Sequence, residues 1–336
     1  MSRIVAALGI AALICAASMS CSVDASAAAS GVDQNLERPG VIAVPVDYEG
    51  QMPGALILAE SVRSFGGELS DVPIRLVIPS RLAPMIADQR EKLASLRVGV
   101  SEVTVPDEAF NYVLGAKPFL AAQAERDAGD AAFVAILAPN TIVLRCPIAF
   151  DLPEGISLGY STVHHQNIGS AASEPLDEFW GRLYEVLDVQ NDDVFTNETL
   201  ADKVTVRFYC NAGSFVVRPE ERLLQAWATA FSKLVGDPVI GELCANGPRN
   251  VFLHQAALAG VVLKRLRPSQ TLRLPDTYSY PLFFEKFHGG LLTFDSVEDV
   301  VTMRYEFRIE DLPVGWEDQV EGPPEVIAWG SKRLAD

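Results

Sequence analysis

The chain has 336 residues, with 27 Lys and Arg against 44 Asp and Glu, a formal net charge of -17. That balance excludes a nucleic-acid binder, because neutralising phosphates needs clustered cations that the sequence lacks. At 49% hydrophobic and 21% charged residues the chain has material for a packed core, and its length suits one large domain or two ordinary ones.

From the N-terminus, Arg3 precedes an apolar run from Ile4 to Ala17. The small residues Ala25 to Ala29 then offer an A-x-A type cleavage site. Residues 1–29 therefore read as a signal peptide and 30–40 as an N-terminal extension, so the protein is expected to be exported, periplasmic or extracellular. The run is shorter than the roughly 20 residues that a membrane span needs, so no stable transmembrane anchor is expected. Ser20-Cys21 offers lipoprotein anchoring at Cys21 as a lesser alternative, since Ser18 and Met19 fit such a signal poorly. Cleavage removes Arg3 and Asp24 together and leaves an acidic chain with the same net charge of -17. Of the cysteines, Cys146, Cys210 and Cys244 remain; they form no C-x-x-C pair, and burial as small apolar residues is the preferred reading.

Strands and helices then alternate. Val41–Val46 reads as a strand, Ala55–Phe65 as a helix stopped by Gly66-Gly67, and Ile74–Pro79 as a second strand. Arg81–Leu96 reads as a helix, Val98–Val105 as a strand, Asn111–Asp127 as a helix, and Ala132–Leu144 as a strand pair broken at Pro139-Asn140. Gly155–Val163 reads as a strand and Leu176–Leu187 as an amphipathic helix. Val204–Tyr209 is a strand running into Asn211-Ala212-Gly213, and Ser214–Arg218 is another. Pro219 opens a helix through Leu234, and Phe252–Leu266 forms a further one. No repeat or linker interrupts residues 41–311, so they read as one domain, followed by an irregular tail over 312–336. This pattern predicts an α/β fold with a mainly parallel central sheet flanked by helices, with ligands gathered beyond the carboxyl ends of the strands.

Several segments carry a family resemblance. Glu60–Gly67 with Asp71–Ile74, Lys117 with Ala121–Glu125, Gly159–Ser170 with Glu174–Trp180, Phe208–Gly213, Val216–Pro219 and Phe252–Ala256 together resemble a poorly characterised subgroup of glycosyltransferase-like proteins with the nucleotide-diphospho-sugar transferase (GT-A) fold. The order of these segments carries the resemblance, which spans roughly residues 41 to 306.

The resemblance implies an Asp-x-Asp turn after the central strand, whose carboxylates hold Mn²⁺ or another divalent metal against the donor diphosphate. The corresponding stretch here is Leu137-Ala138-Pro139-Asn140, so the turn is degenerate: Ala138 cannot coordinate, and Asn140 offers only an amide oxygen. Histidine is scarce, at 4 residues, and imidazole is a good transition-metal ligand, so Asn140, His164, His165, His254 and His288 form the candidate metal set. The weighed alternative is that His164 and His165 point to opposite sides of an extended segment and that His254 caps a helix. The candidate substrate-binding residues are Asp47, Lys117, Asn211, Gly213 and Gln255. Asp47 follows the first strand where a base or ribose contact falls in this fold, and Asn211 can read a sugar hydroxyl while Gly213 lets the backbone approach it. An ordinary β-turn at Asn211–Gly213 is the plain alternative. Asp177 and Glu178 read as first-turn helix stabilisers, with a capping box from Ser173 or Glu174, and Trp180, Tyr184 and Trp227 as core. Motifs of serine hydrolases, P-loops, zincins and dinucleotide-binding folds are missing.

Two functions follow. One is an exported glycosyltransferase-like protein that transfers sugar from an activated donor through a nonstandard metal site, with a sugar or nucleotide-sugar as ligand. The other is a catalytically degenerate relative that binds a glycan or nucleotide-like ligand or acts as an envelope interaction protein. Export favours the second, because nucleotide sugars are cytoplasmic donors.

Overall fold

The computed structural model describes residues 39–281, 297–305 and 321–334. Continuous runs of β-branched and apolar residues build a seven-stranded sheet buried on both faces. Six of its strands are β1 (Val41–Pro45), β2 (Ile74–Pro79), β3 (Val98–Val103), β4 (Val134–Leu137), β6 (Leu158–Thr162) and β9 (Cys210–Val217). With β10 (Thr271–Arg273) the spatial order is β10-β6-β9-β4-β1-β2-β3. All pairings are parallel except those of β9, which runs against β4 and β6. The mainly parallel sheet expected from the alternation is therefore present, with one reversed strand inserted at its centre. A short second sheet is formed by β5 (Thr141–Val143), β11 (Tyr280–Pro281) and β12 (Thr302–Arg304), and β7 (Thr196–Glu198) pairs with β8 (Thr205–Arg207) as a ribbon.

Eight helices are described: α1 (Met52–Phe65), α2 (Ala83–Ser95), α3 (Lys117–Asp127), α4 (Glu178–Leu187), α5 (Leu223–Val235), α6 (Pro238–Leu243), α7 (Pro248–Arg265) and α8 (Pro324–Leu334). The main core joins sheet residues such as Val77, Ile136 and Phe215 to Leu120, Trp180, Trp227, Phe231 and Leu258 of α3, α4, α5 and α7. Each such side chain contributes about 1.5–3 kcal/mol of burial free energy. A second cluster joins Ile57 of α1, Ile142 of β5 and Met303 of β12 to Leu334 of α8. Trp180, Tyr184 and Trp227 are core residues as expected. Cys146, Cys210 and Cys244 are free thiols, and no described helix is long and apolar enough to cross a membrane.

Four local readings are corrected. Helix α3 begins at Lys117, six residues after the expected Asn111, because Pro118 sets its first turn and the chain before it folds tightly enough that a Cβ on Gly115 would lie 2.0 Å from the Ala109 carbonyl oxygen. Pro219 opens only a three-residue turn; Arg222 adopts left-handed backbone angles, φ 50° and ψ 37°, so α5 starts afresh at Leu223. Neither Ser173 nor Glu174 caps α4; Asp177 does, its carboxylate accepting the Trp180 N–H at 2.8 Å. The tail is helical over Pro324–Leu334, where Trp329 packs edge-on against Phe65 at 5.4 Å and Arg333 pairs with Glu60 at 2.5 Å.

Candidate functional site

The parallel strands end at one edge, and because β9 is reversed its beginning meets that same edge. Ala138, after β4, donates its N–H to the Gly213 carbonyl at 2.8 Å, while Thr162 at the end of β6 stands opposite Cys210. The reversal thus sets Asn211–Gly213 beside the turn Ala138-Pro139-Asn140. Asn211-Ala212-Gly213 is not a β-turn but part of buried strand β9. The Asn211 side-chain oxygen accepts the Gly213 N–H at 2.8 Å, and Gln255, projecting from α7, accepts the Ala212 N–H at 3.0 Å. Gln255 therefore positions the strand through its carbonyl oxygen.

Asp47 follows β1 at this edge and is 5% exposed. Its backbone N–H is held by Gln51 at 2.7 Å, while among the described residues no side-chain donor reaches its carboxylate, which the Lys117 backbone N–H approaches. Burial raises its pKa to about 6, and the charges of Lys117 and Arg81 draw it partly back. Lys117, the first residue of α3, is buried, which lowers its ammonium pKa; Asp47 opposes that shift and Arg304 adds to it. Arg81 is kept in place over the Phe110 ring, 3.3 Å from its centroid.

His254 is buried inside α7 rather than at its start, because the helix begins at Pro248. Its Nδ1 lies 3.0 Å from the Val251 carbonyl, which assigns the proton to Nδ1. Burial, then the Lys117 charge, hold its pKa well below 6.5, so the ring is neutral. His164 and His165 follow β6. The His164 carbonyl accepts the Ala201 N–H at 2.8 Å, and His165 Nδ1 lies 3.6 Å from Asp202. His288 lies outside the described residues.

Of the candidate metal set, the described members Asn140, His164, His165 and His254 belong to no metal-ligand group, and His288 lies outside the described residues. Among the described residues no three His, Cys, Asp or Glu side chains converge as ligands. At the turn, Ala138 has no donor atom, and the Asn140 amide nitrogen donates to the Tyr305 carbonyl at 2.6 Å while Tyr305 N–H returns a bond to the Asn140 carbonyl at 3.2 Å. Asn140 thus ties the turn to the end of β12. A hard divalent cation needs several anionic or carbonyl oxygens, and this donor set does not fit one.

Arg304 on β12 had no signal in the sequence, since a three-residue strand far along the chain carries no periodicity. Its pairing with Thr141 of β5 brings it to the turn. A Cβ placed on Gly213 would lie 3.9 Å from the Arg304 guanidinium carbon, 3.3 Å from the Ala138 Cβ and 3.1 Å from the Asn211 oxygen. Gly54, in the first turn of α1, similarly allows the helix to reach this turn: a Cβ there would lie 2.8 Å from the Pro139 carbonyl oxygen and 2.6 Å from the Tyr305 hydroxyl. Asn197, also unmarked in the sequence, joins the end of β6 to the approach to β9 by bonds to Thr162 and to both backbone groups of Tyr209.

Residues 46–266, more than half of the chain, match the Rhodobacterales glycosyltransferase domain. The chain belongs to this family. No curated protein matches the chain. Among solved structures it is similar to the bifunctional glycosyltransferase WbbM in its apo form, at 13% identity and a TM-score of 0.50, over 91% of this chain and 51% of that one. It is also similar to the galactosyltransferase LgtC in complex with donor and acceptor sugar analogs, at 14% identity, a TM-score of 0.46 and coverage of 88% and 94%. A third similar structure, mouse xyloside xylosyltransferase 1 in its apo form, gives 11% identity, a TM-score of 0.46 and coverage of 82% and 100%. The chain spans about half the length of WbbM, and a likeness at these identities is one of fold. The chain thus has the α/β, GT-A type architecture that the order of its sequence segments implied.

Proposed function

We propose that the carboxyl edge of the sheet is the donor site of a glycosyltransferase, binding a nucleoside-diphosphate sugar and transferring its glycosyl group. The observation that carries this reading is Asp47: a carboxylate 5% exposed, reached by no side-chain donor among the described residues and with its pKa still pushed up to about 6 despite the Lys117 ammonium and backbone N–H, is costly unless a ligand supplies further donors. The imide or amino edge of a base and the hydroxyls of a ribose are such donors. Asn211 and Gly213 lie one strand beyond the turn, where the sugar would extend, with Lys117 between them and Asp47. The side chains at this edge bind and orient; in this reading the leaving diphosphate is neutralised by the cations that surround it.

The test is a thermal-shift panel on the chain lacking residues 1–29, with UDP, GDP, CDP and TDP and their sugars, followed by measurement of nucleoside-diphosphate release. Binding to the native state raises the melting temperature by mass action. Stabilisation by one nucleoside diphosphate, lost in Asp47→Ala, is the expected result.

A second reading is a domain that binds such a ligand, or a glycan, without transfer in an exported setting. It draws on the degenerate turn at Ala138 and on the leader pattern of residues 1–29. Binding without release of diphosphate, together with a mature N-terminus near residue 30 by mass spectrometry of protein from the producing cell, would select it.

A further inference from the structure

We infer that Lys117 and Arg304 hold the donor diphosphate at this edge in place of a divalent cation. This rests on the donor-site reading above and concerns what neutralises the ligand's charge.

The observations converge on one turn. Where the resemblance expects two metal-binding carboxylates after β4, Ala138 offers a methyl group and Asn140 only a neutral amide, whose nitrogen donates to the Tyr305 carbonyl while the Asn140 backbone carbonyl accepts the Tyr305 N–H. The same two hydrogen bonds that occupy Asn140 fix the end of β12, so the residue just before Tyr305 is delivered to the turn. That residue is Arg304, opposite Thr141 in the β12–β5 ladder. Its guanidinium carbon approaches the Gly213 backbone closely enough that a Cβ there would be 3.9 Å away, with the Ala138 methyl 3.3 Å from the same point. The hydrogen at 213 leaves the guanidinium room beside the strand.

Lys117, buried at the N-terminus of α3, supplies the second cation, and its ammonium feels the Arg304 charge. A dianionic group entering beside Lys117 and Arg304 gains charge-assisted contacts with both. A guanidinium also presents a planar fork of donors that matches phosphate oxygens, which a metal replaced by Lys alone would not provide. In a chain of net charge -17, two cations placed at the ligand edge also distinguish it electrostatically from the surrounding acidic surface.

The test is isothermal titration of the chain lacking residues 1–29 with UDP, GDP, CDP and TDP, in 5-millimolar-range EDTA and separately with Mn²⁺ or Mg²⁺, alongside Arg304→Gln and Lys117→Met. Circular dichroism checks that each variant is folded, and the chelator comparison on the wild type does not depend on either variant folding. The expected result is a nucleoside diphosphate whose affinity changes less than about twofold with EDTA and falls about tenfold or more in folded Arg304→Gln, the scale of one charge-assisted contact. Binding that appears only with Mn²⁺ or Mg²⁺ overturns the inference and leaves the donor-site reading standing. EDTA-resistant binding with unchanged affinity in folded Arg304→Gln overturns the role of Arg304. No binding of any of the four under either condition overturns the donor-site reading itself, and the inference with it.

Discussion

Asp47 and Lys117 are opposite charges buried at the same sheet edge, 5% and 4% exposed, and both the Lys117 ammonium and its backbone N–H draw the Asp47 carboxyl down against its burial. Each is shifted toward its neutral form by burial, and each is pulled back by the other. The pair stabilises neither partner fully, which is the condition of a site that awaits a ligand.

The pH dependence of stability should carry the mark of Asp47. Its native pKa of about 6 exceeds the ordinary 3.8, so between these values the native state binds more protons than the unfolded chain. Its contribution is therefore fully present below pH 3.8 and is lost as pH rises to about 6, by about 3 kcal/mol at most. Asp47→Asn should flatten that descent and melt higher than wild type at pH 7 while losing nucleotide binding. Equal slopes for the two proteins in urea denaturation between pH 4 and 7 would refute this account.

His254 acts with the opposite sign. Its native pKa lies well below 6.5, so as pH falls under 6.5 the unfolded chain takes up a proton that the native ring refuses, and stability falls. Over the window where both groups titrate the two slopes oppose, while carboxylates held low in the native state, Glu60 and Asp237 among them, add to the loss at acid pH. His254→Phe should lose less stability than wild type as pH falls below 6.5; a profile parallel to wild type would show that His254 does not titrate on unfolding.

Gly54 tests whether the turn is held from behind. A methyl group there would overlap the Pro139 carbonyl oxygen at 2.8 Å and the Tyr305 hydroxyl at 2.6 Å, and the first of these is backbone that must move. Gly54→Ala should cost about 1–3 kcal/mol through overpacking, despite the gain in helix propensity, and should weaken nucleotide affinity by shifting the Asn140–Tyr305 link. Affinity and melting temperature both unchanged would mean that the turn yields without consequence.

What the sequence disclosed and what it concealed divides along physical lines. The strands β1, β2, β4 and β6 and the helices α1, α2 and α7 were legible because burial on both sheet faces demands unbroken apolar runs and helices demand their own period. The start of α3 and the break at Arg222 were not, since both depend on single backbone angles that composition does not encode. Helix α8 was hidden by Pro323 and Pro324, read as irregular although Pro324 opens the helix. At the site, Asp47 and Lys117 were marked by the resemblance. Arg304 was invisible because its position depends on a ladder between residues more than 160 apart.

Glu125 offers a prediction remote from the site. Helix α5 has no side-chain cap of its own, since its N-cap is Arg222 in a left-handed conformation. The cap comes instead from α3: the buried Glu125 carboxylate accepts the Leu224 and Gln225 N–H groups at 3.0 and 2.9 Å. The positive end of the helix dipole favours that charge, although burial still raises its pKa. Glu125→Ala leaves two helix donors unsatisfied in a buried setting and should cost about 1–3 kcal/mol, lowering the melting temperature by roughly 2–4 °C per kcal/mol for a domain of this size. Glu125→Gln keeps one acceptor and should fall between. A Glu125→Ala protein that melts with the wild type would show that solvent, rather than Glu125, satisfies the start of α5.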